Sequence, residues 1–165
     1  GDPVQVTLTP KIEGLRRGLY ECEIQILDPS ALNHPRSFIV RMRIFRRGYY
    51  FVPEEFETIQ LAISAVEPNS VITIAPGTYI GSIRTNGKDI VLTGQDPDHW
   101  QTVENTSLQG NGLDPVIQFE GSEKHTVIRG LTVTGGYAET SGGGIVGNAA
   151  KVTIEKCIIE NNAAE

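Results

Sequence analysis

Val127-Ile128-Arg129-Gly130-Leu131-Thr132-Val133-Thr134-Gly135-Gly136 is answered further on by Val152-Thr153-Ile154-Glu155-Lys156-Cys157-Ile158-Ile159-Glu160-Asn161-Asn162. At an offset of 26 residues, Leu131, Val133, Gly135 and Gly136 fall on Cys157, Ile159, Asn161 and Asn162. Two earlier runs, Val71-Ile72-Thr73-Ile74 and Ile90-Val91-Leu92-Thr93-Gly94, have the same make-up. A repeated strand-and-turn unit of this length marks a solenoid, in which each coil buries its apolar face only by stacking on the next. The reading is a right-handed parallel β-helix in which Val, Ile and Leu point inward. Gly77, Gly94, Gly135 and Gly136 then stand where the chain must turn. Asn161-Asn162 is a candidate start of an asparagine stack at a turn.

Composition agrees. Among 165 residues there are 18 glycines, with 7% aromatic and 21% charged side chains, which suits an all-β protein with many tight turns. No apolar run approaches the roughly 18 residues that span a bilayer, so no membrane insertion is expected. The net charge of -6 is unevenly spread: residues 1–47 hold eight basic and five acidic groups, and residues 48–165 hold six and fifteen. An acidic solenoid is a poor partner for nucleic acid, whose binding rests on neutralised phosphates. The basic cluster Arg36, Arg41, Arg43, Arg46 and Arg47 reads first as the wet face of a strand, and second as a surface for an acidic partner such as a neighbouring copy. Cys22 and Cys157 lie far apart without metal-binding spacing, and each reads as a small apolar residue rather than half of a disulfide.

Along the chain, residues 4–9, 19–27 and 38–45 alternate apolar and polar side chains as half-buried strands do. A turn at Gly14 to Gly18 and a loop at Asp28-Pro29-Ser30-Ala31-Leu32-Asn33-His34-Pro35 separate them. Gly18-Leu19-Tyr20, Ile24-Gln25-Ile26, the loop, and Ile39-Val40-Arg41-Met42-Arg43-Ile44 together resemble the C-terminal half of immunoglobulin-like domains in large secreted bacterial proteins. The resemblance implies a partial β-sandwich over residues 1–47. Three strands bury little and leave edges unpaired, so something else must complete them.

Residues 48–165 form the second expected domain. Tyr49-Tyr50-Phe51-Val52 reads as a strand ended by Pro53, which can open a helix. Glu54-Glu55 suit the positive end of that helix, and Phe56, Ile59, Ala62, Ile63 and Val66 carry its apolar face. A helix here would cap the stacked core. Thr58-Ile59-Gln60-Leu61-Ala62-Ile63, Val71-Ile72-Thr73-Ile74-Ala75-Pro76-Gly77-Thr78-Tyr79 and Gly87-Lys88-Asp89-Ile90-Val91-Leu92-Thr93 resemble the N-terminal part of pectin-lyase-like right-handed β-helix proteins. Gly142-Gly143-Gly144-Ile145 and the 26-residue repeat resemble the coils of their secreted bacterial members. The resemblance covers residues 49–165 and implies about three coils. It does not by itself imply an enzyme. Asp96 to Gly112 is expected to loop out, carrying Trp100.

Candidate chemistry is sparse, and no catalytic residue is assigned. Asp89, Asp96 and Asp98 are the candidate calcium ligands, since carboxylate oxygens suit that ion; otherwise Asp-Pro-Asp marks a turn. Trp100 and Tyr137 are the candidate sugar-stacking pair. Glu120 and Glu123 are close in sequence, but Gly121 between them points to a turn rather than a glycosidase pair. His34, His99 and His125 are scattered in loops, and Gly142-Gly143-Gly144 lacks the Lys-Ser/Thr of a phosphate cradle.

The expected function is non-catalytic: a scaffold, adhesin or fibre segment, its raw ends completed by neighbouring domains of a longer chain or by self-association. The alternatives are a fragment of a polysaccharide lyase or other carbohydrate-active enzyme, and a glycan-binding module with polysaccharide as partner. Gly1-Asp2-Pro3 has neither the basic start nor the apolar centre of a secretion signal. The expected location, extracellular or cell surface, therefore comes from the resemblance.

Overall fold

The computed structural model describes residues 18–26, 36–44 and 48–165, with side chains for residues 39–41 and 48–165. Two compact units are separated, Gly1–Arg46 and Arg47–Glu165. In the first, β1 (Gly18–Ile26) and β2 (Arg36–Ile44) pair antiparallel, with Gly18 opposite Ile44 and Ile26 opposite Arg36. Ile39 and Arg41 are exposed and Val40 is half-buried, as alternation requires. The strand expected over residues 4–9, the turn at Gly14, the loop at 28–35 and the Cys22 side chain lie outside the described residues, as do all side chains of the arginine cluster except Arg41.

The second unit contains, in order, β3 (Tyr49–Val52), α1 (Ile59–Ala65), β4 (Ser70–Ile74), β5 (Gly77–Ile80), β6 (Ile83–Arg84), β7 (Ile90–Gly94), α2 (Trp100–Glu104), β8 (Thr106–Gln109) and β9 (Ile117–Phe119). It continues with β10 (Thr126–Arg129), β11 (Thr132–Thr134), β12 (Tyr137–Ala138), β13 (Ile145–Gly147), β14 (Val152–Glu155), β15 (Ile158–Glu160) and β16 (Ala163–Ala164). These strands form four all-parallel sheets, ordered β14-β10-β7-β4-β3, β15-β11-β8-β5, β13-β9-β6 and β12-β16. The chain visits the sheets in turn and then returns to the first, which is a parallel β-solenoid. It makes three full passes, starting at β4, β7 and β10, and enters another at β14.

The 26-residue repeat is a structural register. Thr126 pairs with Val152, Thr132 with Ile158 and Tyr137 with Ala163, each 26 positions apart. Turn residues repeat with it: left-handed backbone recurs at Gly130 and Lys156, and again at Gly135 and Asn161. The core is built of columns. Ile72, Leu92 and Ile128 stack in one register line, all fully buried, and Leu108 and Val133 continue a second line that starts at Tyr79. Buried threonines interleave with them, and their hydroxyls are satisfied, by main chain or, at Thr85, by the Glu123 carboxylate. Thr126 Oγ1 donates to Lys88 O at 3.1 Å and Thr132 Oγ1 to Val103 O at 2.9 Å. Unpaired, such a hydroxyl would cost about 1–3 kcal/mol.

Helix α1 is shorter than expected. It starts not at Pro53 but after Thr58, whose side chain accepts from Leu61 N at 3.2 Å as N-cap. Glu55 is not in its first turn; its Oε2 accepts from Phe51 N at 2.9 Å. The helix nevertheless covers the core as expected, burying Ile59, Ala62 and Ile63. Two side chains fasten it. Gln60 mimics a neighbouring strand for β6, its Oε1 accepting from Arg84 N at 2.8 Å and its Nε2 donating to Arg84 O at 3.2 Å. Lys88 Nζ donates to Ile63 O, Ser64 O and Val66 O at 2.8–2.9 Å, neutralising the negative end of the helix.

Residues 96–112 do not form one loop. They hold α2 and then β8, which pairs with both β5 and β11. The preceding segment crosses the next coil at Gly130, where an added Cβ would lie 2.4 Å from Pro97 Cβ.

Candidate functional site

The carboxylates singled out in the sequence are each occupied by the fold. Asp89 precedes β7, and its Oδ1 accepts from Lys124 N at 2.6 Å and His125 N at 2.8 Å on the next coil. Its Oδ2 lies 3.5 Å from His125 Nδ1. The backbone hydrogen bond from His125, then that from Lys124, hold the Asp89 carboxyl below the usual carboxylate range. Asp96 caps its own turn, Oδ1 accepting from Asp98 N at 3.3 Å. Asp98 binds the Lys156 ammonium, whose hydrogen bond and charge lower its pKa. Asp89 therefore faces the start of one turn, while Asp98 straps the 95–99 segment to the last coil. Among the described residues, no group of three or more His, Cys, Asp or Glu side chains is placed to share a metal ion.

Glu120 and Glu123 have separate roles. Glu120 is exposed, 4.0 Å from Arg84 Nη1. Glu123 is buried, and its Oε1 accepts from Thr85 Oγ1 and from Glu120 N (2.9 Å), while Oε2 accepts from Gly121 N at 2.8 Å. Burial pushes its pKa up, but the Thr85 hydroxyl and the turn amides outweigh that and hold it below its ordinary value. Sequence spacing showed a turn here; nothing in the spacing showed that the second glutamate folds back into it.

Trp100 opens α2 and is 59% exposed. Tyr137 begins β12, half-buried, with its N–H donating to Asp114 O at 3.1 Å. The two belong to different corners of the coil, Trp100 between β7 and β8 and Tyr137 between β11 and β13. His99 is the N-cap residue of α2, and its Nδ1 lies 3.5 Å from Thr102 Oγ1. His34 lies outside the described residues. Gly143 and Gly144 are buried in a turn, and the Gly144 carbonyl accepts from Ile117 N at 3.0 Å on the preceding coil.

Cys157 is a free, half-buried thiol, and burial raises its pKa. The position 26 residues before Asn162 is Gly136, so on that side Asn162 meets main chain. Its Oδ1 accepts from Gly136 N and its Nδ2 donates to Val133 O, both at 2.9 Å. It thereby pins the last coil to the one before.

The last coil carries the most distinctive surface. Ile128 and Val133 are fully buried, yet their register partners Ile154 and Ile159 are 40% and 51% exposed. Val152 and Cys157 beside them are half-buried. The same apolar pattern is thus repeated once more in the coil of β14 and β15. A groove of about 280 Å³ lies at the other end, between Glu57–Gln60 and the edge strand β5, with Ile80 exposed along it.

Compared with protein families, curated proteins and solved structures, the chain matches none.

Proposed function

We propose that this chain is a non-catalytic structural segment of a secreted or cell-surface protein, serving as scaffold, adhesin or fibre subunit. In this reading the solenoid is right-handed and pectin-lyase-like, and the preceding strands belong to an immunoglobulin-like sandwich. The observation that carries the proposal is the exposed Ile154 and Ile159, standing in register with fully buried Ile128 and Val133. Fully burying an isoleucine is worth about 1.5–3 kcal/mol, and with 40% and 51% of these two still exposed roughly half of that remains at each, so this face favours a further layer, whether from the same chain or from another copy. The carboxylates support the same reading, since Asp89, Asp98 and Glu123 are engaged in holding coils together.

Electron microscopy of the purified chain at several concentrations, with and without calcium, tests it. Ordered fibres or defined oligomers are expected. Dispersed monomers at every concentration would overturn it.

The exposed Trp100 favours a second reading, a glycan-binding module. A flat apolar ring in solvent can stack on a sugar face. Retention of Trp100→Ala on immobilised polysaccharides as strong as that of the unsubstituted chain would remove this reading.

A further inference from the structure

The acidic solenoid holds one concentrated spot of positive charge. Residues 48–165 contain six lysines and arginines against fifteen acidic groups. Four of the six are engaged among the described residues: Arg84 with Glu120, Arg129 with Glu155, Lys156 with Asp98, and Lys88 with the carbonyls ending α1. The remaining two, Lys124 and Lys151, have no partner among the described residues, and both line the same surface. Two adjoining depressions, of about 420 and 560 Å³, meet there, and the residues common to both are Lys124, His125 and Lys151.

The register explains the grouping. Thr126 pairs with Val152, so the residues before them, His125 and Lys151, are stacked on adjacent coils about 4.8 Å apart. Lys124 is the next residue back. The main chain under all three is fixed. Asp89 Oδ1 receives the Lys124 and His125 amides, and Lys151 N donates to Glu123 O at 2.9 Å. The Glu123 carboxylate faces Thr85 and the turn amides, while Asp89 Oδ2 stands 3.5 Å from His125 Nδ1 and engages that side of the ring. Two free ammonium groups and an imidazole therefore look onto one concavity.

We propose that Lys124, His125 and Lys151 form a binding site for a dianionic phosphate group. Two compact cations match a doubly charged, tetrahedral group. A planar carboxylate is better served by the bidentate fork of an arginine, and no arginine lines these depressions. The open, shallow shape takes a head group rather than a whole small molecule. Inorganic phosphate and a phosphate monoester on a larger molecule share this chemistry.

Amide spectra of the full chain, titrated with inorganic phosphate at constant ionic strength, test the site. Saturable shifts are expected at Lys124, His125 and Lys151, weaker with acetate and absent with chloride. Lys124→Ala and Lys151→Ala should each raise the apparent dissociation constant about fivefold, the upper end for an exposed ion pair. The double variant should not saturate, while Lys156→Ala should bind as the unsubstituted chain does. Tighter binding of glycerol phosphate than of inorganic phosphate identifies the monoester as the ligand; equal or weaker binding identifies the free ion. Shifts that chloride reproduces, or that survive in the double variant, overturn the proposal.

Discussion

Glu123 accepts from Thr85 on one coil and closes the Glu120–Gly121 turn on the next. Its folded-state pKa lies below the ordinary glutamate value of 4.5. Its stabilisation is therefore complete above that value and is lost as pH falls through the depressed one. Asp89 and Asp98 are lowered too and act in the same direction. Stability measured by urea unfolding should thus be flat near neutrality and fall in acid, and Glu123→Gln should flatten part of the acid limb. At neutral pH, Glu123→Ala should cost about 3 kcal/mol, because it leaves buried donors unpaired. Little of this was legible beforehand. The spacing of Glu120, Gly121 and Glu123 marked a turn, but a carboxylate that turns inward has the same letter as one that faces water. The aspartates were legible as oxygen donors, whereas their acceptance of backbone amides from another coil depends on register, which single positions do not reveal.

Among the elements, the solenoid strands were the most readable, because Val, Ile and Leu runs bounded by glycine leave few other structures open. Strand β8 was missed. Thr106-Ser107-Leu108-Gln109 holds one large apolar residue, and its other inward residue, Thr106, is buried only because its hydroxyl donates to Thr102 O at 2.7 Å. The capping helix was placed on the right residues but begun too early, since Thr58 as N-cap outweighs Pro53 as an opener. Column position should decide what a substitution costs. Ile128→Ala, in the middle of a buried column, should lose about 2–5 kcal/mol in urea unfolding. Ile154→Ala, one coil further and 40% exposed, should lose about 1 kcal/mol. Lys88→Met removes an ammonium shared by three helix carbonyls and should cost about 2 kcal/mol. Equal losses at Ile128 and Ile154 would contradict the column description.

For the molecule as a whole, stacking is the shared logic. A solenoid coil is stable only against its neighbours, so its stability is a sum over interfaces and its outermost coil is its weakest. Hydrogen exchange should follow that order, slowest in β7 and β10 and fastest in β15 and β16. The parallel sheets and the 26-residue register were legible from the repeat alone.

Sedimentation velocity over a wide concentration range, comparing the unsubstituted chain with Ile154→Asp/Ile159→Asp, shows whether the Ile154–Ile159 face is an interface. The unsubstituted chain is expected to associate as concentration rises, and the double variant, folded by circular dichroism, to stay a monomer. A compact monomer at all concentrations for the unsubstituted chain, or undiminished association in the variant, would contradict that expectation.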